Sequence, residues 1–173
     1  MAKTWEEKLQ DTDEYPKILK LEKKFPCYKA AVFLGAKEGD DVVITKKSEV
    51  LEEMRNVPDG KLMTIHELCL ILGEKHNVRT ACSLTTGIFI MTVANAEEEL
   101  KKDFRGYGVP YWRTLKAGGE LNPKYPGGVE GHKKLLEEEG FTVIPKGRSK
   151  KRMVVEDYEK YLVCMYLALL NSF

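Results

Sequence analysis

The sequence predicts an α+β fold, a helix-turn-helix core carrying a two-stranded wing, and three observations predict it. Short apolar runs separated by glycine turns lie near the amino terminus, at Ala30–Leu34 and Val42–Ile44. Apolar stretches of helical length, each with a cap signal, follow one another from Ser48 to Leu100. Two further β-rich runs, Phe141–Ile144 and Met153–Val155, flank a loop with five basic residues, Lys146, Arg148, Lys150, Lys151 and Arg152. Helices grouped between short strand pairs fit an α+β layout rather than alternating βα units.

The elements follow in order. Residues 1 to about 24 mix acidic and basic side chains, with Trp5, Leu9, Ile18 and Leu21 as the expected anchors of an arm or short helices. Gly35 and Gly39-Asp40 separate two short strands, or a strand pair, within 27–45. Ser48 is the expected N-cap of a first helix with Val50, Leu51 and Met54 inward, and the Pro58-Asp59-Gly60 turn ends it. Thr64 is the next N-cap, Glu67 its capping-box partner, and Gly73 the expected stop. A third helix runs from about Ser83 to Leu100 with Leu84, Ile88, Met91 and Ala94 recurring at helical spacing. The glycine-containing link between these helices reads as a helix-turn-helix. A helix over about 129–139, the wing hairpin, and a closing helix from Asp157 to Leu170 with Tyr161, Leu162, Met165 and Leu169 inward complete the chain. The expected organisation is an arm with strands over 1–56, a helical core over 57–140 and a wing with helix over 141–173, forming one compact unit.

Composition narrows the function classes. A chain of 173 residues is long enough to bury about 70% of its unfolded surface. The net charge of +1 argues for neither nucleic acid nor membrane as a whole-molecule partner, so any DNA affinity must come from a local basic surface. The longest apolar runs are too short or too broken to span a bilayer, and the first residues lack the apolar core of a secretion signal. Cys27, Cys69, Cys82 and Cys164 are irregularly spaced and do not group in sequence with His66, His76 or His132. No metal site, cofactor or disulfide framework is therefore expected, and reduced cytoplasmic thiols are the default.

A set of spaced motifs goes further. Pro58-Asp59-Gly60-Lys61, Thr64-Ile65-His66-Glu67-Leu68, Asn95, Pro110-Tyr111-Trp112-Arg113, Lys116 with Gly118-Gly119, Tyr125-Pro126-Gly127-Gly128 and Leu135-Leu136-Glu137-Glu138-Glu139-Gly140 occur in that order. Over roughly Val57 to Gly140 the chain resembles the O6-alkylguanine-DNA alkyltransferase family, and the resemblance implies an alkyltransferase-type winged helix-turn-helix. It implies a DNA contact at Thr64, a hinge at Asn95, and a base pocket of Tyr111, Trp112, Tyr125, Gly127 and Gly128. It also implies an arginine in the recognition helix. Counting from Gly73 gives Arg79, counting back from Asn95 gives Thr86, because the segment before Pro110 is longer than the family's. Arg79, Arg113 and the wing residues Arg148, Lys150, Lys151 and Arg152 are the expected DNA-binding cations.

The departures decide the chemistry. Tyr111 stands where the family carries its acceptor cysteine, and Trp112 where it carries the activating histidine; Ile65 replaces a tyrosine and Pro126 a small residue. A phenol of pKa about 10 is scarcely ionised at neutral pH, and an indole offers only an N–H donor. No catalytic residue is therefore expected. The cysteine is also missing in the alkyltransferase-like proteins, the family's non-catalytic branch, although these typically keep the histidine. Tyr111 and Trp112 either form an aromatic pocket for a flipped base or plug the space that smaller residues would leave.

The reading is a non-catalytic, alkyltransferase-like protein that binds double-stranded DNA, alkylated or distorted, in repair, with a repair protein as a further partner. The alternatives are a methyltransferase using a displaced cysteine such as Cys82, a protein-interaction scaffold, and a transcriptional regulator on the same fold.

Overall fold

The helices begin where side chains or backbone carbonyls satisfy the free N–H groups of a first turn, and those caps fix the register of the chain. In this computed structural model, which describes residues 1–163, helix α1 (Trp5–Leu9) is capped by Thr4. The Thr4 hydroxyl accepts from Glu7 N–H at 3.1 Å, and the Glu7 carboxylate accepts from Thr4 N–H at 2.8 Å. Glu99, on helix α5 (Ser83–Lys101), accepts the Trp5 and Glu6 N–H groups at 3.2 and 3.0 Å and so fastens the arm to the body. Leu9 and Leu21 are buried, as expected, but Ile18 is exposed. It sits on edge strand β1 (Lys17–Lys20), where Leu19 packs inward instead.

The expected strand over Ala30–Leu34 is helix α2 (Tyr28–Phe33). Two alanines favour helix, and Gly35, at φ +92°, closes it: Ala36 N–H reaches Ala31 O at 3.0 Å and Gly35 N–H reaches Val32 O at 2.9 Å. The strand partner of β2 (Asp41–Ile44) is β1, which lies within the segment that the sequence predicts as the arm. Lys17 pairs with Ile44 and Lys20 with Asp41, antiparallel. On its other side β2 pairs in parallel with β4 (Thr80–Ala81).

Helix α3 (Lys47–Arg55) starts before Ser48. Lys46 is its N-cap residue, and the Ser48 N–H is satisfied by Asp11 at 3.1 Å, a long-range acceptor that local sequence cannot show. Helix α4 (Ile65–Lys75) has the Thr64–Glu67 capping box as expected, with Thr64 N–H on Glu67 Oε2 at 2.6 Å. Gly73 does not end this helix. It lies inside α4, where a Cβ would stand 2.6 Å from Thr80 Cα and 2.7 Å from Thr80 N, so its smallness lets β4 cross the helix. The stop is Asn77, at φ +56°, with Val78 N–H on Gly73 O and Asn77 N–H on Glu74 O, both at 3.0 Å. The link to α5 is thus a cap plus a strand rather than a glycine turn.

Helix α5 spans the expected residues, and of its expected stripe Ala94 is buried whereas Leu84 and Ile88 are half exposed. Thr86, Phe89, Ile90, Val93, Ala96 and Leu100 carry the rest of the inward face. Strand β3 (Met63–Thr64) pairs in parallel with β5 (Thr114–Leu115), and Leu62 bridges Leu162. After helix α6 (Gly128–Glu138), β6 (Val143–Lys146) and β7 (Arg152–Val155) form the expected antiparallel hairpin, Val143 opposite Val155. No α-helix starts at Asp157. That residue is left-handed, at φ +51°, a single 3₁₀ turn covers Tyr158–Tyr161, and the chain returns to extended backbone at Leu162. Cys164, Met165 and Leu169 lie outside the described residues.

The fold is α+β, with six α-helices around small sheets among the described residues. Its largest core joins Leu9, Val43, Met54, Leu72, Val93, Tyr111 and Tyr125. A second one, of Leu62, Leu115, Leu121, Leu136, Phe141 and Val155, seats the hairpin against α6. Among the described residues no helix is long and apolar enough to cross a membrane.

Gly73→Ala is expected to destabilise the protein by about 1–3 kcal/mol, because its Cβ meets backbone that cannot give. Gly87→Ala, with only Ile65 Cδ1 at 3.5 Å, is expected to stabilise α5 by up to about 1 kcal/mol. Urea unfolding of both variants checks the pair.

Candidate nucleic-acid interface

The segment that carries the motif departures is a 3₁₀ turn, Tyr111–Arg113, running into β5. Each of its three side chains is committed to the interior or its rim. Tyr111 is 1% exposed; its hydroxyl donates to Glu98 Oε1 at 3.0 Å, and its ring meets Trp112 and Tyr125 edge-on at 5.4 and 5.2 Å. Burial, with Glu98 beside it, pushes the phenol well above its ordinary range. Tyr111 thus fills space in the core. Trp112 lies under Lys101, 5.3 Å from ring to cation, and faces a shallow groove lined by Arg55, Val109 and Pro110.

Arg113 was an expected phosphate contact, and its fork is already occupied. Nε donates to Glu139 Oε2 at 3.0 Å, Nη2 to Glu139 Oε1 at 2.6 Å and to Asp59, and Nη1 to Val57 O at 2.8 Å. Glu139 is consequently a buried-side partner rather than part of a solvated helix face.

His132 is fully buried. Asn122 N–H donates to its Nδ1 at 3.0 Å, so the proton resides on Nε2, which donates to Trp112 O at 2.8 Å. Burial lowers its pKa to about 4. The imidazole is thus a neutral strut between α6 and the Tyr111 turn. Val129, His132 and Leu136 share a helical face, and that spacing was the available signal for its burial.

Tyr125 is buried with its hydroxyl on Thr114 O at 2.8 Å, and burial raises its pKa well above the usual value. Gly127, at φ +77°, and Gly128, at φ +66°, turn the chain into α6. A cavity of about 280 Å³ lies on the other side of Tyr125. Ile65, Leu84, Gly87, Ile88, Met91 and Leu115 form its apolar wall, and Lys116, Asn122, Pro123 and Lys124 stand along one side. Asn95 ties this loop to the helix: its Nδ2 donates to Met91 O at 2.9 Å and to Lys124 O at 3.2 Å. Among the described residues no cysteine lines the cavity.

The other candidates are dispersed. Thr64 is buried and spent on its cap, accepting from His66 N–H at 3.3 Å and donating to Glu67. Arg79 precedes β4 rather than riding on α5, and its Nε donates to Leu34 O at 2.9 Å across Gly35. Thr86 is on α5 but buried. No Lys or Arg precedes Lys101 in α5. Arg148, Lys150, Lys151 and Arg152 are exposed around the hairpin turn, Arg152 3.9 Å from Glu120. The longer segment before Pro110 is a loop after α5, held by buried Glu97, which accepts the Tyr107 and Gly108 N–H groups at 2.7 and 3.0 Å.

Replacing Arg113 by Met is expected to cost about 3 kcal/mol by leaving Glu139 without its fork, and Arg113→Lys less, since the charge stays; chemical denaturation measures both. His132 binds protons less readily folded than unfolded, so stability rises with pH from about 4 to about 6.5 and is flat above. As pH falls through that window about 3 kcal/mol is lost. Denaturation midpoints against pH, with nitrogen NMR of the ring showing an Nε2–H tautomer that does not titrate above pH 5 or so, check this.

No family model matches the chain, and neither does any curated protein. Among solved structures, a crystal structure of the ATL protein of S. pombe in complex with DNA aligns with a TM-score of 0.48 and 18% identity, covering 68% of this chain and 93% of that one.

Proposed function

We propose that this protein binds duplex DNA through an alkyltransferase-like winged helix-turn-helix without transferring an alkyl group. The cavity beside α5 carries the reading. It is apolar, about 280 Å³ in volume, open next to the exposed amino-terminal half of the helix, and bordered by Lys116 and Lys124. An unstacked base edge placed there would find apolar walls, with cations at the rim for the flanking phosphates. The exposed wing cations Arg148, Lys150, Lys151 and Arg152 would follow the backbone alongside. Tyr111 fills the position from which a nucleophile would act, and among the described residues no thiol lines the cavity. Alkylated or distorted DNA is the favoured ligand because a weakened base pair is cheaper to open.

One observation favours a second reading, a protein-interaction scaffold. The outward face of α5 offers Leu84 and Ile88 rather than basic residues, and exposed Phe33 stacks on His66 nearby at 5.0 Å.

Binding to matched duplexes with and without one O6-methylguanine, at two salt concentrations, separates the readings. The expected result is tighter, salt-sensitive binding to the lesion duplex with no mass added to the protein. Lys150→Ala and Lys151→Ala would each flatten the log-log salt slope by roughly 0.9, and Ile88→Glu would remove the lesion preference. Absence of binding at low salt would leave the scaffold reading, and a methyl adduct would restore an enzyme.

A further inference from the structure

We propose that Gly87 is the specificity-determining residue of the cavity beside α5: its missing side chain admits a flat heteroaromatic ring, of the nucleobase class, against the backbone of the helix. The inference rests on the DNA reading for the source of that ring, and on the cavity for its shape.

The glycines inside helices are not alike. In α4 a Cβ at Gly73 would stand 2.6 Å from Thr80 Cα, and in α6 a Cβ at Gly131 would stand 2.7 Å from Pro126 O, so packing demands glycine at both. Gly87 has no such reason. Among the described residues a Cβ there would meet Ile65 Cδ1 alone, at 3.5 Å, which is an ordinary contact. Its φ also lies outside the left-handed region that favours glycine. Glycine is the poorest helix former after proline. The helix is thus weakened at Gly87 for no purpose that the chain's own packing or backbone supplies.

The purpose lies in the cavity. Gly87 and Ile65 both line it, so a methyl group at 87 would join α5 to Ile65 and close the gap between them. With hydrogen in that place, bare backbone is left between the half-exposed side chains of Leu84 and Ile88. Carbon atoms pack at about 3.5–4.0 Å, so a planar ring lies flat on such a floor where a puckered ring needs a wider gap. Ser83 lines the same cavity, and its hydroxyl bonds to nothing among the described residues. The first turn of α5 has no side-chain cap, so an acceptor on the ring edge finds donors at that end.

The test titrates the whole chain with free purine and, as a puckered comparator, with cyclohexanone, following the backbone amide NMR signals of residues 83–91. Purine is expected to shift the Ser83, Leu84, Gly87 and Ile88 signals saturably at millimolar concentration, and cyclohexanone to leave them in place. Gly87→Ala is expected to weaken purine binding about tenfold or more, while its urea midpoint stays at or above that of the unaltered chain. Adding Ile65→Val, which removes Cδ1, is expected to restore part of the affinity, a recovery that a merely structural glycine would not give. Undiminished purine binding by Gly87→Ala, equal binding of cyclohexanone, or no purine binding by the unaltered chain would overturn the proposal. So would a Gly87→Ala chain less stable than the original, since the glycine would then serve packing. Binding of the unaltered chain to an undamaged duplex is measured alongside. Duplex binding without purine binding overturns this inference alone; purine binding without duplex binding sustains the slot and overturns the DNA reading.

Discussion

The guanidinium of Arg113 is the constraint around which the site is built. Its planar fork spans a carboxylate at the end of α6, a backbone carbonyl after α3 and the Asp59 turn, three segments with no other common partner at that point. A lysine ammonium cannot present donors in those directions at once. By fixing the residue after Trp112, this fork also sets where Tyr111 enters the core and where β5 meets β3. His132 completes the arrangement from the opposite side by holding the Trp112 carbonyl. A frame locked this way keeps its shape whether or not it performs chemistry.

That rigidity accommodates a large aromatic side chain at the centre of the turn. Tyr111 in the core is stable because its hydroxyl finds Glu98 and its ring two aromatic edges, so the larger side chain costs neither a buried unpaired group nor a void. The cavity sits on the other side of Tyr125, walled by apolar side chains with Lys116 and Lys124 along one side.

Local patterns were legible where the interaction was local. The Thr64–Glu67 box, the extent of α5 and the wing hairpin each depend on residues near one another in sequence. Ser48 failed as a cap because Asp11 reaches in from the arm, and Gly73 failed as a stop because its role is to admit β4, not to turn the chain. The α5 face was misread at Leu84 and Ile88 because the helix is apolar on two sides and only packing selects between them. At the site, the motif spacing brought Tyr111, Trp112, Tyr125 and Asn95 to one neighbourhood. It could not show that Arg113, Arg79 and Thr64 are spent on internal bonds, since their partners Glu139, Asp59 and Leu34 O come from separate segments or, for Thr64, from its own cap.

Three adjacent carboxylates near the end of α5 hold three different parts of the molecule. Glu97 holds the loop before Pro110, Glu98 the Tyr111 hydroxyl, and Glu99 the first turn of the arm. One helical turn therefore acts as a common junction. Opening it frees the arm, the loop and the core plug in a single step, which makes these otherwise unrelated segments one cooperative unit.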